Sequence, residues 1–298
     1  MLDHRQLQAF ATVIELQSFD KAAQRLFLTQ SAISQRVKQL EESLGQLLII
    51  RSQPLRPTSA GQQLMRHYRQ LVLLQNELLT GLSDAATQGY TKLAIGLNAD
   101  SLATWFLAAM EPLFQQQSIL LELRVDDQDQ THHLLRQGEV IGCISASDKP
   151  VQGGNCVPLG TSRYLALASQ EYINRYFATG INKHSLEQAP VVEFNEKDEL
   201  QDRFLSTYYP DVDDYPRHRI PSSEGFTELI CRGHAWGMVP EMQVSELLKN
   251  GEIQQLNSCQ YLEIPLYWHS WNLASDIGQK LTRQLVNFCQ THLDQPAI

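Results

Sequence analysis

Between Ser18 and Gly45 the chain has room for two short helices and only a tight turn between them. No other feature restricts its fold as strongly. Ser18 is a candidate N-cap for a helix over residues 20–27, in which Ala22 and Ala23 allow another helix to approach closely. Thr29 is placed to cap a third helix that runs to Leu44 and stops at Gly45, with Ile33, Val37, Leu40 and Leu44 on its apolar stripe. Upstream, residues 4–16 carry Leu7, Phe10, Ala11 and Ile14 on one side of a first helix. Three short helices, two of them flanking a tight turn, make a helix-turn-helix. Gln30 lies near the start of the third helix, and Ser31, Ser34, Gln35 and Lys38 fall opposite its apolar stripe. Small, amide and cationic side chains on one exposed face suit base edges in a major groove. The apolar run at residues 47–50 then returns through Pro54 and Pro57 as a short β-wing, whose Arg51 and Arg56 suit a phosphate backbone.

The charge distribution agrees. Residues 1–70 hold nine Lys/Arg against five Asp/Glu, whereas residues 71–298 hold 15 against 28, so a basic head precedes an acidic body. The connector between them has no proline from Ser59 to Thr87 and repeats Leu64, Tyr68, Leu71, Leu74, Leu78 and Leu82. That is an amphipathic helix of roughly 40 Å, more naturally a dimer seam than a monomer's core element. Gln88-Gly89-Tyr90 marks the boundary to the body.

In the body, strands are expected at 92–97, 119–125, 140–145, 164–168, 191–194, 218–220, 235–239, 253–256 and 266–271. Helices are expected at 102–116, 131–137, 171–177, 200–208, 224–232, 244–249 and 276–292. The alternation predicts mainly parallel sheets, with ligands bound beyond the strands' C-terminal ends and a cleft between two halves.

Residues 5–64 resemble the DNA-binding head of the LysR-type transcriptional regulators. The resemblance rests on Leu7, Phe10, Ser18-Phe19, Ala22-Ala23, Leu26, Thr29-Gln30-Ser31-Ala32-Ile33-Ser34, Val37, Leu40-Glu41, Leu44-Gly45, Leu48, Arg51, Thr58, Gly61 and Leu64. Ser31 stands where proline is common and Ile49 where phenylalanine is common. The resemblance implies a winged helix-turn-helix at 1–58, a dimerising linker helix at 59–89, and an effector-binding α/β body at 90–298. That body would be built like a periplasmic binding protein, with one subdomain at about 90–161 and 266–298 and the other at about 162–265. Within the family, the run from Asn98 to Trp105, together with Gly138-Glu139-Val140-Ile141-Gly142, Ala189-Pro190-Val191-Val192, Ser222-Ser223-Glu224 and Leu266-Tyr267-Trp268-His269, is similar to the arginine- and lysine-responsive ArgP branch, also described as chromosome-initiation inhibitors. The implied partners are operator DNA and further copies of the chain, as a dimer or tetramer, with RNA polymerase a further candidate. The implied effector is L-lysine or L-arginine, with no cofactor, and the regulated genes those of amino-acid export or metabolism.

The residues fit a small cationic amino acid. Asp100 and Ser101 sit where a strand hands over to a helix, so Ser101 and adjacent N–H groups are candidates for an α-carboxylate. Asp100, Glu224 and the strand-end pair Asp126 and Asp127 are candidates for an ammonium or guanidinium, with Asn195 and Ser145 at the rim. Each of these acids also has a simpler role, stabilising a helix N-terminus without touching ligand. Two further readings stay open: a family member answering another metabolite, and an architectural or origin-binding protein without effector response.

Other classes find little footing. There is no G-x-S-x-G, H-E-x-x-H, Walker loop or G-x-G-x-x-G, so neither a catalytic constellation nor an enzyme is expected. His132 and His133 are adjacent, face different sides of a helix and read as solvated surface rather than metal ligands. The five cysteines are scattered, with Cys143 expected in the core. Trp268 and His269 read as aromatic core. The opening residues lack the apolar stretch of a secretory signal and no run approaches a bilayer span, which points to a cytoplasmic chain without membrane contact.

Overall fold

The computed structural model describes residues 2–82, 90–126, 131–273 and 275–295. Asp127, Gln88, Gly89 and the end of the connector beyond residue 82 lie outside these. The head comprises α1 (His4–Leu16), α2 (Phe19–Arg25), α3 (Gln30–Leu44), β1 (Ile49–Ile50) and β2 (Arg56–Pro57). Its caps are local. Asp3 Oδ1 accepts from Arg5 N–H at 2.7 Å, Ser18 Oγ from Lys21 N–H and Thr29 Oγ1 from Ala32 N–H, both at 3.2 Å. Gly45 closes α3 at φ +66°. Leu7, Phe10, Val13, Ala22, Ile33, Val37 and Leu40 form the buried centre, joined by Leu64 and Met65 of α4 (Ser59–Leu82). Two expectations need correction. Leu44 is 40% exposed, because the helix ends before its side chain reaches the core. Phe27 is not helical; it sits in the turn at φ +54°, 95% exposed.

The body opens with β3 (Thr91–Leu97), α5 (Ala99–Ser101), a π-helical turn (Leu102–Phe106) and α6 (Leu107–Gln116), so this helix begins three residues earlier than its periodicity suggests. Next come β4 (Ile119–Val125), α7 (Thr131–Arg136), β5 (Gly142–Ser145) and the long β6 (Gly154–Ala168). The second half contains α8 (Gln170–Tyr176), α9 (Lys183–Gln188), β7 (Val191–Glu193), α10 (Leu200–Tyr208), β8 (Arg217–Arg219), α11 (Ser223–Cys231), β9 (Gly237–Pro240), α12 (Glu241–Lys249) and β10 (Gln254–Gln255). The chain then returns through β11 (Tyr261–Trp271) to α13 (Asp276–His292).

The main sheet is mixed rather than mainly parallel. β3 pairs in parallel with β4 and β5, but β11 runs antiparallel to both β5 and β6, and β6 antiparallel to β9 and β10. β6 and β11 are longer than expected and cross from one half of the body to the other. Their ladder breaks register between Leu266 and Tyr267, opposite Gly160 and Pro158, leaving Leu159 as the extra residue of a bulge. Gly160 adopts φ +136°, and a Cβ there would meet the Asp294 carbonyl at 2.9 Å. The strands bend at this point, and each half packs its own helices. His132 also departs from expectation. It is buried against His269, ring centroids 4.6 Å apart, and burial followed by the proximity of His269 lowers its pKa to about 4. His133 stays exposed. Cys143 is core, and burial pushes its thiol up to about 12.

α4 lies along the body. Arg69 Nη1 donates to the Gly138 carbonyl at 2.6 Å, and the Arg66 guanidinium stacks 4.9 Å from the Trp271 ring centre. Glu77 accepts from Ser275 Oγ and from the N–H groups of Asp276 and Ile277, capping α13 from outside its own segment. Leu78 and Leu79, farther along α4, are 61% and 59% exposed. Among the described residues no helix is long and apolar enough to cross a membrane.

Gly138 is the tightest point of this seam. It adopts φ +67°, and a Cβ would lie 2.6 Å from the Arg66 Cα. Gly138→Ala is expected to destabilise the protein by about 1–3 kcal/mol, through φ strain and displacement of α4. A thermal melt of the full chain checks this; a variant that melts with the wild type rules it out.

Candidate functional site

Two faces of the molecule are candidates for recognition. On the head, Gln30, Ser31, Ser34, Gln35 and Lys38 are exposed along one side of α3. Ser31 Oγ lies 3.0 Å from Thr29 Oγ1, and Lys38 forms an exposed pair with Glu42 at 3.5 Å, which water screens heavily. Glu41, on the same helix, accepts from the N–H groups of Leu48 (2.7 Å) and Ile49 (3.4 Å), so the wing is held at a fixed angle to α3. Arg51 projects from the wing into solvent, whereas Arg56 lines an open cavity between the head, α4 and the body.

The second face is a narrow cleft between the two halves of the body, with a cavity volume of about 60 Å³. That is well below the roughly 300–1,000 Å³ of small-ligand sites, so a ligand of amino-acid size requires the two walls to part. One wall carries Asn98, Asp100 and Asp126, from the ends of β3 and β4 and the start of α5. The other carries Phe194, Asp198, Glu199 and Arg203, from the end of β7 into α10, with Ser223, Thr227 and Gln243 of α11 and α12. Asp100 is half-buried. Its Oδ2 accepts from Tyr164 Oη at 2.8 Å and its Oδ1 from Ser223 Oγ at 2.9 Å, so both the crossing strand and the far wall reach it. Burial raises its pKa; the two hydroxyl bonds pull it back, and the Asp198 charge adds to the rise. Asp198 is likewise raised by burial, and its oxygens accept from the Phe194 N–H (2.8 Å) and Leu200 N–H (3.1 Å), pinning the start of α10 to the end of β7.

Ser223 is the node of the site. Its single hydroxyl proton faces two acceptors, Asp100 Oδ1 and Gln243 Oε1, each at 2.9 Å. The Gln243 amide cannot rotate to relieve this, because its Nε2 donates to the Ser223 carbonyl (3.1 Å) and Thr227 Oγ1 (2.9 Å). Among the described residues, one of these two acceptors is therefore left without the Ser223 proton. At the mouth of the cleft, Lys197 on one half reaches Asp126 on the other at 3.7 Å.

Of the residues singled out in the sequence, Asp100 and Asp126 line the cleft; Ser101, Ser145, Asn195 and Glu224 do not. The Ser101 N–H donates to Asn98 Oδ1 at 3.3 Å, which uses the donor expected for a carboxylate. Ser145 is fully buried, its Oγ accepting from Ser147 N–H. Asn195 turns to accept from Lys197 N–H, and the exposed Glu224 accepts from Ser222 Oγ at 3.1 Å. The residues not anticipated are Asp198, Arg203, Ser223, Thr227 and Gln243. Ser223 stands beside Glu224 in a predicted helix start and was within reach of the sequence; the others lacked any motif.

A model of the bacterial regulatory helix-turn-helix proteins of the lysR family matches residues 4–62, and one of the LysR substrate binding domain matches residues 90–294. The chain belongs to the LysR family. The HTH-type transcriptional regulator ArgP of Pseudomonas fluorescens is 42% identical over 287 residues, 96% of each chain. Among solved structures, ArgP from Mycobacterium tuberculosis superposes with a TM-score of 0.90 at 37% identity, covering 100% of both chains. LysG from Corynebacterium glutamicum, with bound effector Arg, superposes at 0.80 and 35% identity, covering 99% of this chain and 100% of that one. This LysR-family chain is therefore a transcriptional regulator of the ArgP/LysG type, not an enzyme.

The raised pKa of Asp100 has a stability consequence. The folded state holds a proton above the ordinary value of 3.8, where the unfolded chain has released it, so the group's contribution declines as pH rises through that window. Asp100→Asn removes the cost of the half-buried charge and keeps acceptor and donor for Ser223 and Tyr164. The ligand-free variant is expected to melt roughly 2–6 °C higher at neutral pH, about 1–2 kcal/mol, with a flatter dependence of Tm on pH above 3.8. A lower Tm at every pH contradicts it.

Proposed function

We propose that this LysR-family regulator binds operator DNA through α3 and the wing, and takes a basic amino acid, L-arginine or L-lysine, into the cleft as its effector. The donor shortage at Ser223 carries the effector reading. A half-buried carboxylate and an amide oxygen compete for one hydroxyl proton, and an ammonium or guanidinium supplies further donors together with a compensating charge. The surrounding charge agrees, since Asp100, Asp126, Asp198 and Glu199 face the cleft with Arg203 the one lining cation among the described residues. The LysG structure with arginine adds support from a relative.

In this reading the head is residues 1–58, the connector 59–89 and the body 90–298, divided near the β6–β11 bend. Exposed Leu78 and Leu79 suit α4 to a partner copy, giving paired heads and a partly palindromic operator, with a tetramer as the next level of assembly. Gln30, Ser31, Ser34, Gln35 and Lys38 face the groove, with Arg51 and Arg56 on the backbone. The regulated genes are those of amino-acid export or metabolism, and RNA polymerase is the partner in activation. Ligand acts by favouring one arrangement of the two halves; equal affinity for both would switch nothing.

Thermal-shift titration against the amino acids tests the effector. At about 100 times Kd, L-arginine or L-lysine is expected to add about 2.7 kcal/mol, with norleucine, whose side chain is neutral, inert and Asp100→Asn unresponsive. A flat profile would remove the basic effector and leave the DNA-binding regulator. On DNA, Arg51→Ala is expected to weaken binding to a duplex of arbitrary sequence and reduce the salt slope by about 1. An unchanged slope takes Arg51 off the phosphates.

A further inference from the structure

An amino-acid effector brings an anion as well as a cation, and the cleft is poorly stocked to receive one. Of the five charged side chains lining it, four are acidic, and Arg203 is the exception. Its guanidinium makes no hydrogen bond or ion pair to any described residue, although Glu199 lies one helical turn away. Lys197, the other cation nearby, is already paired with Asp126 at the mouth. The Ser101 N–H is occupied by Asn98.

Arg203 is aimed by the fold. Asp198 holds the first turn of α10 through the Phe194 and Leu200 N–H groups. The helix cannot rotate, because Gln201, Phe204 and Leu205 are buried on its far side and Gln201 Nε2 donates to the Val192 carbonyl at 2.8 Å. Arg203 thereby lines the cleft on the wall opposite Asp100.

We propose that Arg203 is the anchor for the effector's α-carboxylate, so that the ligand spans the cleft with its carboxylate toward α10 and a cationic group at Asp100 and Ser223. The planar guanidinium matches a carboxylate bidentately, and the pair is partly shielded from water inside the cleft. The inference rests on the effector reading above and adds its orientation: the cleft selects for an amino acid and rejects the corresponding amine. The carboxylate end then rests on the half that carries α10, and the cationic end on both halves, at Asp100 of one and Ser223 of the other.

The test compares L-arginine with agmatine, which lacks only the carboxylate, by calorimetric titration of the full-length protein and its Arg203→Gln and Arg203→Lys variants. The wild type is expected to favour L-arginine over agmatine by roughly ten- to hundredfold, the worth of a hydrogen bond to a charged group. Arg203→Gln should lose that factor for L-arginine, leave agmatine within about twofold and so collapse the ratio; Arg203→Lys should retain part of it. A ratio unchanged in Arg203→Gln, or a wild type that binds agmatine as tightly as L-arginine, overturns the anchor while leaving a basic effector in place. A wild type that binds neither L-arginine nor L-lysine overturns the effector reading and the anchor with it. Because Arg203 is exposed on α10, matched thermal melts of the ligand-free variants separate lost binding from lost folding.

Discussion

The β6–β11 ladder is the interaction on which the body depends. It runs from Tyr261 opposite Leu165 to Trp271 opposite Gly154, through both halves. β5 joins it along Tyr267–Ser270 and brings β3 and β4 with it, while β9 pairs with the far end of β6. The bulge at Leu159 sets the angle between these two groups of strands, and thereby the width of the cleft. Tyr164 lies on the ladder itself, and its hydroxyl reaches Asp100. The strand that joins the halves thus also touches the site between them, so a change at Asp100 bears directly on the joint.

The cleft is less stable empty than its packing alone would allow. The buried Asp198 and the half-buried Asp100 raise each other's cost of ionisation, and Ser223 offers one proton to two acceptors. Buried polar groups left partly unmatched cost free energy, and a ligand that supplies the missing charge and donors recovers it. Such local stability sacrificed at a binding site is a common trade. Under the proposed reading, a ligand switches the protein only by binding one arrangement of the halves more tightly than another.

The head is joined to the body by a different kind of contact. Leu73 is the buried residue of α4 that joins the body's core; beyond it the seam depends on Arg66 over Trp271, Arg69 on the Gly138 carbonyl and Glu77 on the start of α13. Polar seams of this kind between domains are weak by comparison with a shared core. The head and its connector therefore fold on their own local signals and are placed by a handful of side chains.

The sequence by itself determined whatever depends on neighbours within a few residues. Ser18, Thr29 and Gly45 delimit α2 and α3 because a cap bonds to N–H groups two or three positions away, and the apolar stripe of α3 follows from helical periodicity. The resemblance to the LysR family is carried by the same short-range pattern. Elsewhere the deciding partner is far along the chain. Residues 154–163 carry Pro158 and Gly160 and read as loop; they become strand because β11, about a hundred residues later, pairs with them. His132 reads as surface until β11 lays His269 against it. Asp100 was legible because it follows a strand, whereas the choice of Ser223 over Glu224 turns on the direction a single residue faces from α11. Asp198, Arg203 and Gln243 belong to segments with no motif, and only the packing of β7, α10 and α12 around the crossing strands brings them to one cleft. Local hydrogen bonding is written in adjacent residues; the site is made by long-range strand pairing, which no short stretch of sequence encodes.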